Sequence, residues 1–462
     1  MAWPQMISGS LGAVDRLWDI FLAGFMGFRG IAGVGAAQQW TLFAFNARTG
    51  MDTSMRAMIA RAVGANNLAL ANHLTFQGFT VGIFFFALVS AVGISITDFL
   101  LRLMGFSNEV IALAAPYMRL HFLSMTAQGI MGMTGAALQA SGDPVTPMKA
   151  HLIQRIGHFV FAPLFLFGFG WFPEMGLAGV AMAGMLGGIM AFAVNFYVLF
   201  TGGSALHLKL REYRLDFPVI RRMVRIGLPA SITGLERQLS VMAVMWLVTP
   251  FGDMAVAAYS IAWRVQMFTN LTSMGMGSGS GVMVGQALGV GNRQRARQSV
   301  AWALLFVSVG SLFMGILLWS FPRYFLMLFV RDPEVIELTV PWVRIIVLGF
   351  MVQGTGMVFM QSFNTAGDTM ISMLVSLVSI WVVQIPLAVM LSGAHHWSVL
   401  GLTITLPQLG HFGQYGIAWA IVAAMAVRMF IFVPYFFTDR WLNKKVLEGL
   451  HPRTQPAEAS SN

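Results

Sequence analysis

The chain has 462 residues, a formal net charge of +10 and no cysteine. Hydrophobic residues make up 57% of it and charged residues only 10%, whereas soluble domains carry about 25% charged residues. This composition excludes an ordinary soluble protein, and the lack of cysteine excludes disulfides and thiolate chemistry. The basic residues lie in a few short loops without interleaved aromatic residues, so the sequence predicts a protein of the lipid bilayer that binds no nucleic acid.

Twelve apolar segments follow along the chain, and each is long enough to cross about 30 Å of hydrocarbon. The predicted spans are 4–26, 30–62, 75–97, 111–140, 147–170, 176–201, 225–249, 254–287, 299–321, 336–365, 369–392 and 413–437. These runs are much longer than the roughly ten residues of a membrane-barrel strand, and they do not alternate. The sequence therefore predicts an all-α integral membrane protein with twelve transmembrane helices.

Lys and Arg are distributed unequally between the two sets of loops. Seventeen lie near the ends of even-numbered spans or in the C-terminal tail, and four lie after odd-numbered spans. Because short cytoplasmic loops carry an excess of basic residues, this bias predicts that both termini are cytoplasmic.

The sequence repeats itself at an interval of 225 residues, so that residues 63–67 correspond to 288–292. A repeat of this length in apolar sequence predicts two homologous six-helix bundles, related by a pseudo-twofold axis along the membrane normal. The predicted divisions are an N-terminal lobe at 1–202, a cytoplasmic linker at 203–224, a C-terminal lobe at 225–445 and a disordered cytoplasmic tail at 446–462.

Several short motifs occur in the same order in both halves. They are the elements at 60–67 and 284–292 and the Gly-Asp turns at 142–143 and 367–368, and Asp19 with Gly24 forms a further motif in the first span. Together they resemble the signatures of the multidrug and toxin extrusion (MATE) family of cation-coupled exporters, over about residues 4–440. The resemblance implies two bundles around a V-shaped cavity, alternating access, and export of drug-like molecules from a bacterial inner membrane in exchange for H⁺ or Na⁺.

Ionisable residues within the first lobe are candidates for the coupling site, because a charge inside a membrane span is costly and usually functional. Asp15 and Asp19 are four residues apart, so they share a helix face. A low-dielectric site favours the neutral form of a carboxyl group, which suits a proton carrier. Asp19 also matches the family's acidic position, so we expect it to be the carrier, with Asp15 as a second candidate. The alternative is a structural ion pair with an arginine.

The choice between H⁺ and Na⁺ depends on departures from the family pattern. Where the family shows an N-x-x-x-D-P pattern in the fifth span, this chain has His158, Ala162 and Pro163, and a family threonine corresponds to Gly184. Na⁺ requires several oxygen ligands, which these changes remove. An imidazole near one carboxylate is better suited to handling a proton. We therefore expect H⁺ coupling with His158 as a relay, although a structural role for this histidine stays open.

Polar residues in other spans are candidates for substrate binding. Glu236 matches a family acidic position in the seventh span, with an ion pair to Arg264 as the structural alternative. Gln353 stands where Na⁺-binding relatives carry a carboxylate. The remaining candidates are Gln38, Gln39, Asn46 and Arg264.

These features predict a secondary antiporter that exports amphipathic, cationic organic compounds in exchange for H⁺, and that acts as a monomer without a cofactor or a metal ion. No G-x-x-x-x-G-K-[ST] loop or other enzyme motif is present, so neither ATP-driven transport nor catalysis is expected. Two alternatives remain open: a related flippase for lipid-linked oligosaccharides, and a membrane subunit of a larger redox or synthase complex.

Overall fold

Long helices form most of the molecule. The computed structural model describes residues 2–393, 397–399, 402–404 and 409–450. Its α-helices are α1 Ala2–Gly24, α2 Gly27–Gly64, α3 Leu68–Ser95, α4 Thr97–Leu103, α5 Asn108–Ser141, α6 Val145–Phe167, α7 Leu177–Thr201, α8 Phe217–Val248, α9 Asp253–Gly289, α10 Arg293–Ser320, α11 Pro322–Leu326, α12 Pro333–Thr365, α13 Thr369–Leu377, α14 Ile385–Ser392 and α15 Gln414–Phe437. A π-helical turn, Val378–Gln384, joins α13 to α14. Two short strands, β1 Trp397–Val399 and β2 Leu402–Ile404, pair antiparallel.

Twelve long helical segments correspond to the twelve predicted spans, with α13, the π-helical turn and α14 forming one of them. Among the described residues, seven helices are individually long and apolar enough to cross a membrane. The bent pair Pro333–Phe350 and Val352–Thr365 adds an eighth span, with a bend of 44°. The four other long helices, α1, α2, α8 and α9, carry ionisable or amide residues along their length.

The repeated motifs are signals that begin and end helices. Asn67 and Asn292 are repeat equivalents, and each side chain accepts a hydrogen bond from a backbone N–H three residues later, at 3.0 and 2.8 Å. Gly142 and Gly367 have φ angles of +105° and +91°, a conformation that glycine adopts without steric cost. The 225-residue repeat in sequence is therefore a repeat of helix boundaries.

The four polar helices form most of the contact between the lobes, because α2 packs against α8 and α9 and α1 packs against α9. The closest approaches lie toward the end of the molecule that carries the loops at 65–67, 142–144, 202–216, 290–292 and 366–368, here called the basic face. A Cβ atom on Gly50 would lie 2.0 Å from the Gly227 carbonyl oxygen, so glycine is needed there. Arg56 donates to the Ser278 hydroxyl across the interface at 2.7 Å. The lobes are thus sealed against each other on the side of the basic face.

The predicted linker at 203–224 is too long. Helix α8 begins at Phe217, because the Asp216 side chain accepts a hydrogen bond from the Val219 N–H at 3.3 Å and Pro218 fits the first turn. Arg221 and Arg222, which fall within the predicted linker, therefore lie in the first turns of a helix.

The predicted disordered tail begins too early. Residues 440–450, here called the C-terminal strap, cross the basic face from one lobe to the other. Trp441 packs among α10, α12 and α15, whereas Val446 and Leu450, 3% and 8% exposed, pack against α2, α3 and the start of α8. Arg222 donates to the Val446 carbonyl at 3.2 Å. Burial of these side chains orders the chain to residue 450, and residues 451–462 lie outside the described part.

Candidate functional site

Helices α1 and α6 bring two aspartates, an arginine and a histidine together inside the N-terminal lobe. Asp15 and Asp19 lie one turn apart on α1, and Arg155 and His158 lie three residues apart on α6. Arg155 forms an ion pair with Asp15. The His158 Nδ1 atom lies 2.7 Å from the other Asp15 oxygen, and its Nε2 atom lies 3.4 Å from Asp19 Oδ1. One imidazole therefore connects the two carboxylates.

The two aspartates differ in how completely they are bonded. Both Asp15 oxygens have partners, Arg155 and His158. Asp19 and His158 are 7% and 3% exposed, and among the described residues Asp19 Oδ1 and His158 Nε2 lack a hydrogen-bond partner of good geometry. Buried polar atoms are normally bonded, so this facing pair has unused capacity to hold a proton. Asp19 is the aspartate with that capacity.

The surroundings of the pair leave space beside it. Gly184 of α7 faces His158 with room to spare: a Cβ atom added to this glycine would lie 4.0 Å from the His158 Nε2 atom. The position where the family pattern has a threonine therefore faces the histidine and supplies no oxygen ligand. Gln38 of α2 and the Tyr117 hydroxyl of α5 lie close to Asp19.

The C-terminal lobe contains a cavity of about 290 Å³ between α8, α9, α12, α13, the π-helical turn and α15. Most of its wall is apolar and rich in methionine. The polar and charged side chains of the wall are Thr233, Arg237, Ser240, Gln266, Asn270, Gln353, Ser376, Gln384 and Arg428. Gln266 donates to the Gln353 side-chain oxygen at 2.6 Å.

Glu236 lies behind this wall. Its side chain is 3% exposed, and the Ser376 hydroxyl donates to its Oε2 atom at 2.7 Å. The neighbouring charges are Arg428 and Arg237. Its Oε1 atom has no hydrogen-bond partner in the described part of the chain. Glu236 therefore has two arginines as its charged neighbours in the described part of the chain.

The family model MatE matches residues 6–164 and 229–390, which is more than half of the chain. This chain belongs to the MATE family. MATE proteins are membrane transporters, so the chain is a multi-pass membrane transporter. The resemblance carried by the motifs in both halves is confirmed, and the matched ranges fall one in each lobe.

Individual MATE relatives agree with this assignment over nearly the whole length. The probable multidrug resistance protein YoeA of Bacillus subtilis (strain 168) is 24% identical over 431 residues, covering 90% of this chain and 92% of that protein. The FAD transporter of Shewanella oneidensis is 23% identical, covering 88% of this chain and 90% of that protein. A crystal structure of MATE in the bent conformation has a TM-score of 0.86 at 20% identity, covering 96% of this chain and 95% of that one. The predicted fold of twelve helices in two bundles is confirmed.

The structure divides the predicted polar residues of this MATE protein between several places. Gln353 lines the C-terminal cavity and Gln38 lies beside Asp19. Asn46 donates to the Leu42 carbonyl of its own helix at 2.8 Å. Gln39 and Arg264 are exposed and are not among the residues that line the cavity. No cluster of three His, Asp or Glu side chains that could hold a metal ion occurs among the described residues.

Three residues of these sites were not identified from the sequence. Arg155 was counted among the basic residues near loops, yet its guanidinium group reaches Asp15 inside the lobe. Its position three residues before His158 on one helix was a usable signal. Arg428 and Ser376 approach Glu236 from α15 and α13, and only the packing of the helices brings them there. The alternative for Glu236, a structural ion pair with Arg264, is not found among the described residues.

Proposed function

We propose that this MATE protein is a secondary antiporter that exports amphipathic organic compounds, cationic ones among them, in exchange for H⁺. The observation that carries the proposal is the buried Asp19–His158 pair, with a separation of 3.4 Å and unused bonding capacity on both atoms. The relatives support export of small molecules, because their names specify multidrug resistance and FAD transport.

Proton coupling is favoured over Na⁺ coupling by the groups around Asp19. Its facing partner is an imidazole nitrogen, its sister carboxylate is neutralised by Arg155, and Gly184 adds no oxygen. Na⁺ binds through several oxygen ligands. Both Asp15 oxygens are already bonded to Arg155 and His158, which leaves Gln38 and Tyr117 as the neutral oxygen-bearing side chains beside Asp19. We assign Asp19 as the proton carrier, His158 as the relay and Asp15 as the anchor that holds the imidazole.

Protonation of Asp19 would act as a switch between two conformations. It changes the hydrogen bonding between the Asp19 carboxyl group and His158, and thereby changes what holds α1 against α6. Basic loops favour the cytoplasmic side of a bacterial inner membrane, so the sealed basic face would be cytoplasmic, together with both termini. The described conformation would then be closed to the cytoplasm, and the protein would work as a monomer.

The test is efflux of a fluorescent cationic dye from proteoliposomes under an imposed pH gradient, with and without Na⁺. We expect transport driven by the pH gradient alone, and its loss in Asp19→Asn. Transport that requires a Na⁺ gradient would overturn the assignment of the ion. Transport under neither gradient, together with headgroup-dependent movement of a lipid-linked oligosaccharide, would favour the flippase alternative.

A further inference from the structure

The charged residues that line the C-terminal cavity are both arginines, Arg237 of α8 and Arg428 of α15. We propose that this cavity binds the carboxylate group of amphipathic organic anions, so that compounds bearing a carboxylate are a second substrate class of the transporter. The inference rests on the proposed export function and names a substrate class for it.

The two arginines carry more positive charge than their acidic neighbour can neutralise. Among the described residues, Glu236 is the one acidic neighbour of the two arginines, and it lies behind the wall, bonded to Ser376, rather than among the lining residues. One carboxylate can neutralise one of two guanidinium groups. An excess positive charge therefore faces the cavity, and a bound cation would meet repulsion where a bound carboxylate would be paired.

At least one N–H donor of the two arginines is unused within the described part of the protein. The Arg428 Nε atom is buried and has no hydrogen-bond partner among the described residues. Arg237 is exposed although it lies within the lobe, so its guanidinium group reaches into the cavity. A guanidinium group binds a carboxylate through a planar fork of N–H donors. The missing partner of these donors is an acceptor, and the protein wall supplies none of matching charge.

The remainder of the wall determines what kind of carboxylate fits. Methionines 267, 274, 357, 360 and 425 together with Trp263 give a soft, adaptable apolar lining. The volume of about 290 Å³ is near the lower end for small-molecule sites, at about 300 Å³. The cavity is thus suited to a charged head attached to a compact aromatic or aliphatic body.

The first experiment compares two dyes that differ in one charge. Dansylglycine carries a carboxylate and dansylglycinamide does not, and both are titrated by fluorescence against the purified full-length protein. We expect dansylglycine to bind at least about tenfold more tightly, which corresponds to about 1.4 kcal/mol. Equal affinity for the two dyes would overturn the proposal.

Variants then locate the site. Arg428→Gln and Arg237→Gln are each expected to weaken dansylglycine binding about tenfold and to leave dansylglycinamide unaffected. Arg344→Gln, at an exposed arginine that is not among the lining residues, is the matched control. Should Arg428→Gln fail to fold, Arg237→Gln decides, because it leaves Glu236 and Arg428 in place. Unchanged binding in the variant that folds would refute the site.

Failure of this inference is distinguishable from failure of the proposed function. Transport of a cationic dye under a pH gradient without dansylglycine binding would leave the antiporter intact and remove the second substrate class. Dansylglycine binding without pH-driven transport would support the carboxylate site and overturn the proposed H⁺ antiport.

Discussion

The two lobes share one fold, but positions that are charged in the first lobe are neutral in the second. At the repeat interval of 225 residues, Asp15 and Asp19 correspond to Ser240 and Val244, and both of these line the C-terminal cavity. Arg155 corresponds at the same interval to Ile380, another lining residue. Where the first lobe fills its interior with an ion cluster, the second has neutral side chains around an open space. Under the proposed function, the repeat would separate the two tasks of an antiporter, with the coupling ion in one copy and a cavity for a substrate group in the other.

Asp19→Asn should have the largest effect on transport among the variants that test this difference between the lobes. The substitution keeps the shape of the side chain but removes the group that takes up a proton, so pH-driven transport should fall to the level of empty liposomes. Asp98→Asn is the control, because Asp98 is an exposed aspartate of the same lobe that pairs with Arg119. Efflux measurements on both variants check this, and full activity in Asp19→Asn would end the assignment of coupling to the first lobe.

The second prediction concerns the stability of the first lobe. Arg155→Met leaves the part-buried Asp15 carboxylate without its cation, which costs less than the roughly 3–5 kcal/mol of a fully buried pair. We expect a marked fall in the unfolding temperature of the purified protein. The double variant Asp15→Asn with Arg155→Met should recover most of the loss, because no unpaired charge remains. If the double variant is no more stable than the single one, the pair is not what holds α1 to α6.

Glu236→Gln tests the charge of the second lobe and should act in the direction opposite to Arg428→Gln. Removing the negative charge behind the wall leaves both guanidinium groups without a counter-charge. Dansylglycine should then bind about fivefold more tightly, since an ion at a few ångströms contributes about 1 kcal/mol in a hydrated site. Fluorescence titration measures the change. Weaker binding would show that Glu236 positions the arginines rather than neutralising them.

Ser376→Ala should have the smallest effect. It removes one hydrogen bond to Glu236, whose charge stays compensated by Arg428 and Arg237. We expect a loss of about 1 kcal/mol in the free energy of unfolding, and a shift in unfolding temperature less than half that of Arg155→Met. A shift as large as that of Arg155→Met would mean that the two lobes depend equally on a buried ion cluster.

The sequence predicted the parts of the fold that depend on local pattern and repetition. Hydrophobic length gave the twelve segments, and the 225-residue interval gave the two lobes, because helix caps such as Asn67 and Asn292 recur at the same place. The spacing of Asp15 and Asp19, with the motif around His158, was enough to expect that these residues meet.

The second site could not be predicted in the same way. Arg428, Ser376 and Glu236 come from three helices, and nothing in a helical period shows which neighbour a side chain will face. Asn46 was expected to bind substrate, but its amide donates to its own helix, an option open to any polar residue within a span. The C-terminal strap was missed because Val446 and Leu450 stand among polar residues that give no amphipathic signal.

The C-terminal strap has a consequence for the order of biosynthesis. Val446 and Leu450 complete a core whose other members come largely from α2 and α3, which leave the ribosome hundreds of residues earlier. The first lobe therefore inserts and folds with a gap in its core that only the last part of the described chain fills. A polypeptide that stops after α15 would expose that apolar gap at the basic face.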